Sequence, residues 1–310
     1  MQISILLAQQ IAQLFLILIM GYAVVKAGLL KASDSKVLSV IMVYLVTPCV
    51  IINAFQIDDT PEIRKGLLYS MAIAAAIHVV LLVLSALLSR PLKLDAVEQV
   101  NVIYSNAAAL VIPLVKALLG DEYVIYSCAF IIVQLVLLWT HASSLLQGSS
   151  ALDWKKVLTN INMIAIAAGA LLYWFRVALP APLQNTMSTM GDMIGPMGML
   201  LAGMAIAEKP LRDVFCTRRN YLPTVLRLVV CPLVMLVLLL VCHASSWVAD
   251  GKNILMTVYL AAITPACATV TSMAQLYDRD AAHSSALYVL TTLLSIITMP
   301  VMIGLFDLLL

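Results

Sequence analysis

The chain has 310 residues, of which 63% are hydrophobic and 11% charged, with a formal net charge of +2. A water-soluble globular domain carries about a quarter of its residues as charges, so this composition excludes one. No basic tail, aromatic-basic platform or P-loop is present, which excludes a nucleic-acid partner and a primary pump of the P-loop kind.

The apolar residues fall in runs of about 20 separated by short polar breaks, the pattern of a polytopic all-α membrane protein. The alternation of a membrane β-barrel is absent. Residues 3–25 carry no charged leader region and read as a first span, not a cleaved signal. A second span, 37–55, contains Thr47-Pro48 past its middle and Asn53 near its far end. A third, 66–88, contains His78. The fourth, 101–120, reads NVIYSNAAALVIPLVKALLG, with Asn106 well inside it, then Pro113 and Lys116. Gly120, Asp121 and Glu122 turn the chain into a fifth span at 123–146. Residues 1–146 form the first half. A polar stretch at 147–160, with Asp153, Lys155 and Lys156, reads as a cytoplasmic linker.

The second half, 161–310, holds spans at 161–179, 184–207, 221–243, 254–276 and 281–305. The seventh is interrupted by Asp192 and by Gly195-Pro196. The eighth carries Arg227, and the ninth breaks around Thr264-Pro265. Six cysteines are scattered, mostly in apolar runs, with no CxxC pair, and read as small buried hydrophobes. Four histidines form no ligand cluster, so neither a metal nor another cofactor is expected.

Ten spans result, and their charges set an orientation. Twelve of the 18 Lys and Arg residues lie in the odd-numbered loops and five in the even ones. The positive-inside rule then puts the odd loops in the cytoplasm and both termini outside. The breaks repeat at half the chain length: Pro48 and Pro196 lie 148 residues apart, Pro113 and Pro265 152 apart. Five spans per half is an odd number, so the halves have opposite orientations. Two inverted five-helix repeats with crossing broken helices 4 and 9 are expected, the pattern of a secondary transporter.

The chemistry expected at such a crossing follows from helix ends. Half-helix N-termini offer free N–H groups and partial positive charge, which suit a carboxylate. Freed carbonyls suit a cation or an ordered water. Asn106 and Thr269 add neutral hydrogen bonds, and Thr264, Pro265 and Pro113 complete the expected substrate site. Asp192 is the conspicuous acid within a span and the candidate for ion coupling. The blander alternatives are a partly hydrated helix-entry acid for Asp192 and interhelical packing for Asn106.

The same segments resemble the auxin efflux carrier family, whose bacterial members are often called malate or malonate permeases. They resemble more distantly the bile acid:sodium symporter fold. The resemblance runs nearly end to end: residues 37–55 (VLSVIMVYLVTPCVIINAF), 106–113 (NAAALVIP), 192–207 (DMIGPMGMLLAGMAIA), 265–277 (PACATVTSMAQLY) and 290–300 (LTTLLSIITMP). It implies a scaffold domain of spans 1, 2, 6 and 7 and a moving transport domain of spans 3–5 and 8–10. It also implies dimerisation through the scaffold, organic-anion substrates and a place in the bacterial inner membrane. Ala108 and Val111 stand where members often carry glycine, and Thr269 where an asparagine often follows the ninth-span proline. These departures bear on the substrate.

The expected function is alternating-access transport of small organic anions by an elevator-like motion, driven by protons, by the membrane potential or by sodium. The competing class is a transport-inactive sensor on the same fold. No paired catalytic acids, metal motif or serine-histidine arrangement supports an enzyme.

Overall fold

The computed structural model describes residues 2–56, 60–148, 155, 158–208 and 210–310. Most of the expected linker, including Asp153 and Lys156, lies outside the described residues. Among those described, the regular structure is helical, and the one β-type pairing is an isolated bridge between Ser105 and Ala266.

The first half comprises α1 (Gln2–Lys26), α2 (Ser35–Ile41), α3 (Thr47–Ala54), α4 (Pro61–Ser89), α5 (Ala96–Ile103), α6 (Ala107–Leu118), α7 (Val124–Leu137) and α8 (Ser143–Gln147). The second comprises α9 (Ile161–Trp174), α10 (Ala181–Gly191), α11 (Ile194–Glu208), α12 (Leu211–Cys216), α13 (Tyr221–Val225), α14 (Cys231–Val241), α15 (Gly251–Ile263), α16 (Ala268–Leu276) and α17 (Ala281–Leu309). Helix starts follow their sequence signals. Thr60 caps α4 ahead of Pro61, and Asp280 caps α17. Asp95 and Glu98 form a reciprocal capping box on α5.

Among the described residues, five helical stretches are long and apolar enough to cross a membrane: Pro61–Ser89, Asp121–Gln147, Ala181–Ala207, Arg218–Val241 and Ala281–Leu309. Shorter apolar helices accompany them at Phe15–Lys26, Met42–Ala54, Ile161–Trp174 and Gly251–Ile263. Large apolar side chains stand exposed on outward faces, among them Leu68 and Leu87 of α4, Val237 and Val241 of α14, and Ile297 and Val301 of α17. In water these faces would be a liability, and in lipid they are the solvated surface. The protein is a multi-pass membrane protein.

The prolines mark breaks less directly than expected. Pro113 lies inside the uninterrupted helix α6, and the chain breaks earlier, at residues 104–106. Pro48 does not break its helix either. A π-turn, Met42–Val46, precedes it, and the Thr47 N–H reaches back to the Met42 carbonyl. The wider turn absorbs the donor that proline lacks, and the chain stays helical. The same device precedes Pro232, where the π-turn Leu226–Val230 joins α13 to α14. Pro196 sits in the first turn of α11, where proline is tolerated. The break there falls upstream, at Asp192 and Met193. Of the four expected break prolines, Pro265 alone lies within a break, at residues 264–267.

Packing is closest where glycine removes a side chain. A Cβ on Gly203 of α11 would strike the Leu18 carbonyl of α1, and one on Gly21 would strike the Leu200 carbonyl. Backbone therefore meets backbone along α1 and α11, as small residues allow in membranes. Gly169 of α9 packs on Phe55 at the end of α3, and Gly191 of α10 on Val50 of α3. At the centre, α15 is buried over nearly its whole length, against α4, α6, α7 and α14.

Candidate functional site

The two broken helices meet at their breaks. The Asn106 N–H donates to the Pro265 carbonyl (2.8 Å), and the Cys267 N–H donates to the Tyr104 carbonyl (3.1 Å). Ser105 and Ala266 thus pair as one antiparallel rung between four half-helices: α5 and α15 end here, and α6 and α16 begin.

Interrupting a helix inside a bundle leaves backbone groups that must find partners. Gln134 of α7 supplies them for Ser105. Its Oε1 accepts from the Ser105 N–H (3.0 Å) and hydroxyl (2.7 Å), and its Nε2 donates to the Ser105 carbonyl (2.8 Å). The side-chain amide behaves as a neighbouring strand would. Across the rung, the Ala266 N–H donates to Thr291 Oγ1 of α17 (3.1 Å).

The carbonyls at the ends of α5 and α15 go to one residue. Arg227, on the π-turn ahead of Pro232, is 1% exposed. Its guanidinium donates to Val102 and Ile103 at the end of α5 (both 3.1 Å). It donates to Ala262 at the end of α15 (2.5 Å) and twice to Thr264 beyond it (2.7 and 3.0 Å). Arginine has five N–H groups, and here each meets a backbone carbonyl. The two negative helix ends are stapled together by one fixed positive charge.

The N-terminal ends are left differently. Asn106 precedes α6, but its side chain caps no N–H of that helix. The residue is 9% exposed, and among the described residues its amide has no protein partner. Thr269, the second residue of α16, is exposed. The crossing therefore presents an unspent amide and two helix starts, with both C-terminal ends occupied.

The other expected site residues separate from this group. The Thr264 hydroxyl turns back to the Ala261 carbonyl (3.1 Å) in the last turn of α15, and the residue contributes through its carbonyl instead. Pro113 lies two turns along α6 from Asn106, roughly 10 Å at 1.5 Å per residue, away from the rung. Asp192 stands at the break between α10 and α11 with its side chain 68% exposed, 3.3 Å from Lys116 Nζ. Lys116 also meets Asp121 at 3.2 Å. This ion-paired cluster borders a cavity of about 420 Å³ lined by Asn53, Gln56, Lys116, Asp121, Gln184 and Ser188, among others.

Sequence reasoning missed Arg227 and Gln134 as parts of the crossing, although each is a polar side chain inside an apolar run, itself a signal. It also missed a network at the other end of α5. Glu98 Oε1 accepts from Arg219 Nε (2.9 Å) and lies 3.1 Å from His283 Nε2. Arg219 also pairs with Asp95. Asn101, one turn on from Glu98, donates to Ser284 Oγ (3.0 Å), which is 3.0 Å from Thr271 Oγ1 of α16.

No curated protein matches the chain. The family model described as membrane transport protein matches residues 6–152 and again 149–303, almost the whole length. The chain belongs to that family of membrane transporters, the auxin efflux carriers.

Proposed function

We propose that the protein is a secondary transporter of small organic anions, mono- or dicarboxylates, with the carboxylate held at the crossing between Asn106 and the start of α16. The observation that carries this reading is the unspent Asn106 amide, nine-tenths buried, beside two helix starts. Such a place offers donors to an anion. Pro265 keeps the break open, and Thr269 adds a hydroxyl at its edge. Membership of a transporter family supports movement of the ligand over mere retention.

In this reading ten spans form two inverted repeats, 1–146 and 161–310. The antiparallel rung between Ser105 and Ala266, one from each half, supports it. The scaffold comprises α1, α2–α3, α9 and α10–α11, and the close packing of α1 on α11 and of α3 on α9 and α10 supports that grouping. The transport unit comprises α4 to α8 and α13 to α17. The two meet through apolar side chains, among them Leu18, Met199 and Ile206 on one side and Leu110, Tyr288 and Leu290 on the other. Apolar contact of this kind suits an elevator-like sliding motion.

Uptake of an anion against a negative-inside potential requires a driving ion, because each charge is worth about 2.3 kcal/mol per 100 mV. Export runs on the potential alone. The Asp192–Lys116 pair joins α6 of the transport unit to the α10–α11 break of the scaffold, so it is broken and remade as the units move. Being largely exposed, Asp192 suits a latch better than a buried proton carrier. The protein sits in the bacterial inner membrane with both termini outside, as a homodimer joined through its scaffold.

Counterflow in proteoliposomes tests this reading. Labelled acetate, malonate and malate are offered outside vesicles loaded with the same unlabelled anion. Transient accumulation of at least one is expected. Saturable binding with no counterflow would instead make the protein a sensor on a transporter fold.

A further inference from the structure

At a crossing of broken helices, two kinds of end face each other. The N-terminal ends are donors and suit anions, whereas the C-terminal ends are bare carbonyls and suit a cation. In a carrier coupled to a metal cation, those carbonyls are where the coupling ion binds. Here they are already spoken for. Val102, Ile103, Ala262 and Thr264 all direct their carbonyls at Arg227, at 2.5 to 3.1 Å.

Among the described residues Arg227 has no other partner. Its five N–H groups are spent on those carbonyls, so no carboxylate is among its partners. It is fully buried, and it is held on a π-turn that aims it between the ends of α5 and α15. A charge in such a position is unusual without a functional reason. Arginine also stays ionised at any physiological pH.

We propose that Arg227 is a tethered counter-cation. It fills the carbonyl site that a coupling sodium ion would need, and it sets the crossing to accept an anion without one. This deepens the transport reading of the same site and rests on it. Three consequences follow from the charge. Sodium is not a co-substrate, because its carbonyl ligands are taken and a like charge already stands among them. The loaded crossing carries one positive and, for a monoanion, one negative charge, so a single carboxylate leaves it neutral. Dianions, which leave it net negative, are the poorer substrates of an otherwise matched pair. Neutral analogues bind more weakly than the anion because nothing in them answers the fixed charge.

The test compares the wild-type protein, Arg227→Gln and Arg227→Lys in proteoliposomes and in detergent. Labelled acetate, malonate and malate serve as probes, in sodium chloride and in choline chloride. Wild-type counterflow is expected to be equal in the two salts within about twofold. Arg227→Gln, which keeps two donors but no charge, is expected to bind the transported anion at least about tenfold more weakly, the scale of one lost charge-assisted interaction. Its affinity for the corresponding neutral amide should fall far less. Arg227→Lys, which keeps the charge and loses the fork, is expected to lie between the two and to remain indifferent to sodium.

A tenfold loss of wild-type counterflow in choline overturns the proposal and leaves the transport reading standing. So does folded Arg227→Gln with wild-type anion affinity, or Arg227→Lys as weak as Arg227→Gln. If Arg227→Gln does not fold, the salt comparison on the wild type and Arg227→Lys decides. Absence of counterflow for every probe in both salts removes the transport reading, and this one with it.

Discussion

Gln134 shows how much one side chain does at a helix break. Ser105 lies between two half-helices and is fully buried, so its N–H and C=O can reach neither a helical partner nor water. An unmet buried polar group costs roughly 1 to 3 kcal/mol. Gln134→Leu keeps the volume and removes both partners. We expect it to destabilise the folded protein by roughly 2 to 4 kcal/mol, read as a lower thermal unfolding midpoint in detergent. Gln134→Glu keeps the acceptor and loses the donor, and it should also lower the midpoint. A Gln134→Leu midpoint equal to wild type would mean that Ser105 finds other partners at the crossing.

At the scale of elements, the sequence marks the broken helices but not the sites of breaking. Hydropathy finds span 4, and Asn106 inside it is the last residue of the true break. Pro113 is the more visible feature and is the wrong one. Its ring fits within α6, whereas the rung is made by Tyr104, Ser105 and Asn106, none of which breaks a helix by itself. What ends α5 is a tertiary fact: Gln134, Arg227 and Pro265 supply partners for backbone that would otherwise stay helical. No local signal in residues 101–106 carries that. Pro48 is misleading for a related reason, because a π-turn accommodates it. Pro265 is legible because a proline just after a helix end agrees with the local break.

This gives a sharp prediction for α6. A helix-interior proline costs up to about 3 kcal/mol relative to alanine. Pro113→Ala is therefore expected to leave anion affinity within about twofold and to hold or raise the unfolding midpoint. A loss of binding as large as that of a crossing residue would restore Pro113 to the site.

Over the whole molecule, the ion pairs link elements distant in sequence. Arg219 ties the start of α5 to the segment before α13 and, through Glu98, to His283 of α17. All three elements belong to the proposed transport unit, so this clamp holds the unit together. Lys116–Asp192 instead spans the two units, and with Asp192 68% exposed it is a weak link. Exposed pairs are worth at most about 1 kcal/mol. Asp192→Asn is accordingly expected to change the exchange rate by no more than about fivefold and to keep the pH response of transport. Loss of that response with exchange intact would make Asp192 the proton-linked group. The class of molecule was readable from composition and span lengths, because lipid imposes them on every segment. The pairing of Lys116 with Asp192, like that of Arg219 with Glu98, was not, since a sequence does not say which of its distant charges meet.

In the proposed transporter the crossing holds the anion through the Asn106 amide. Equilibrium binding of the transported anion to purified, folded Asn106→Ala protein tests it most directly. Among the described residues the amide has no protein partner to lose, so the substitution removes a ligand contact and little else. A hydrogen bond to a charged group is worth roughly 1.5 to 3 kcal/mol, and the predicted result is an affinity weaker by about 10- to 150-fold. An affinity within about twofold of wild type would contradict the account and place the anion elsewhere in the protein.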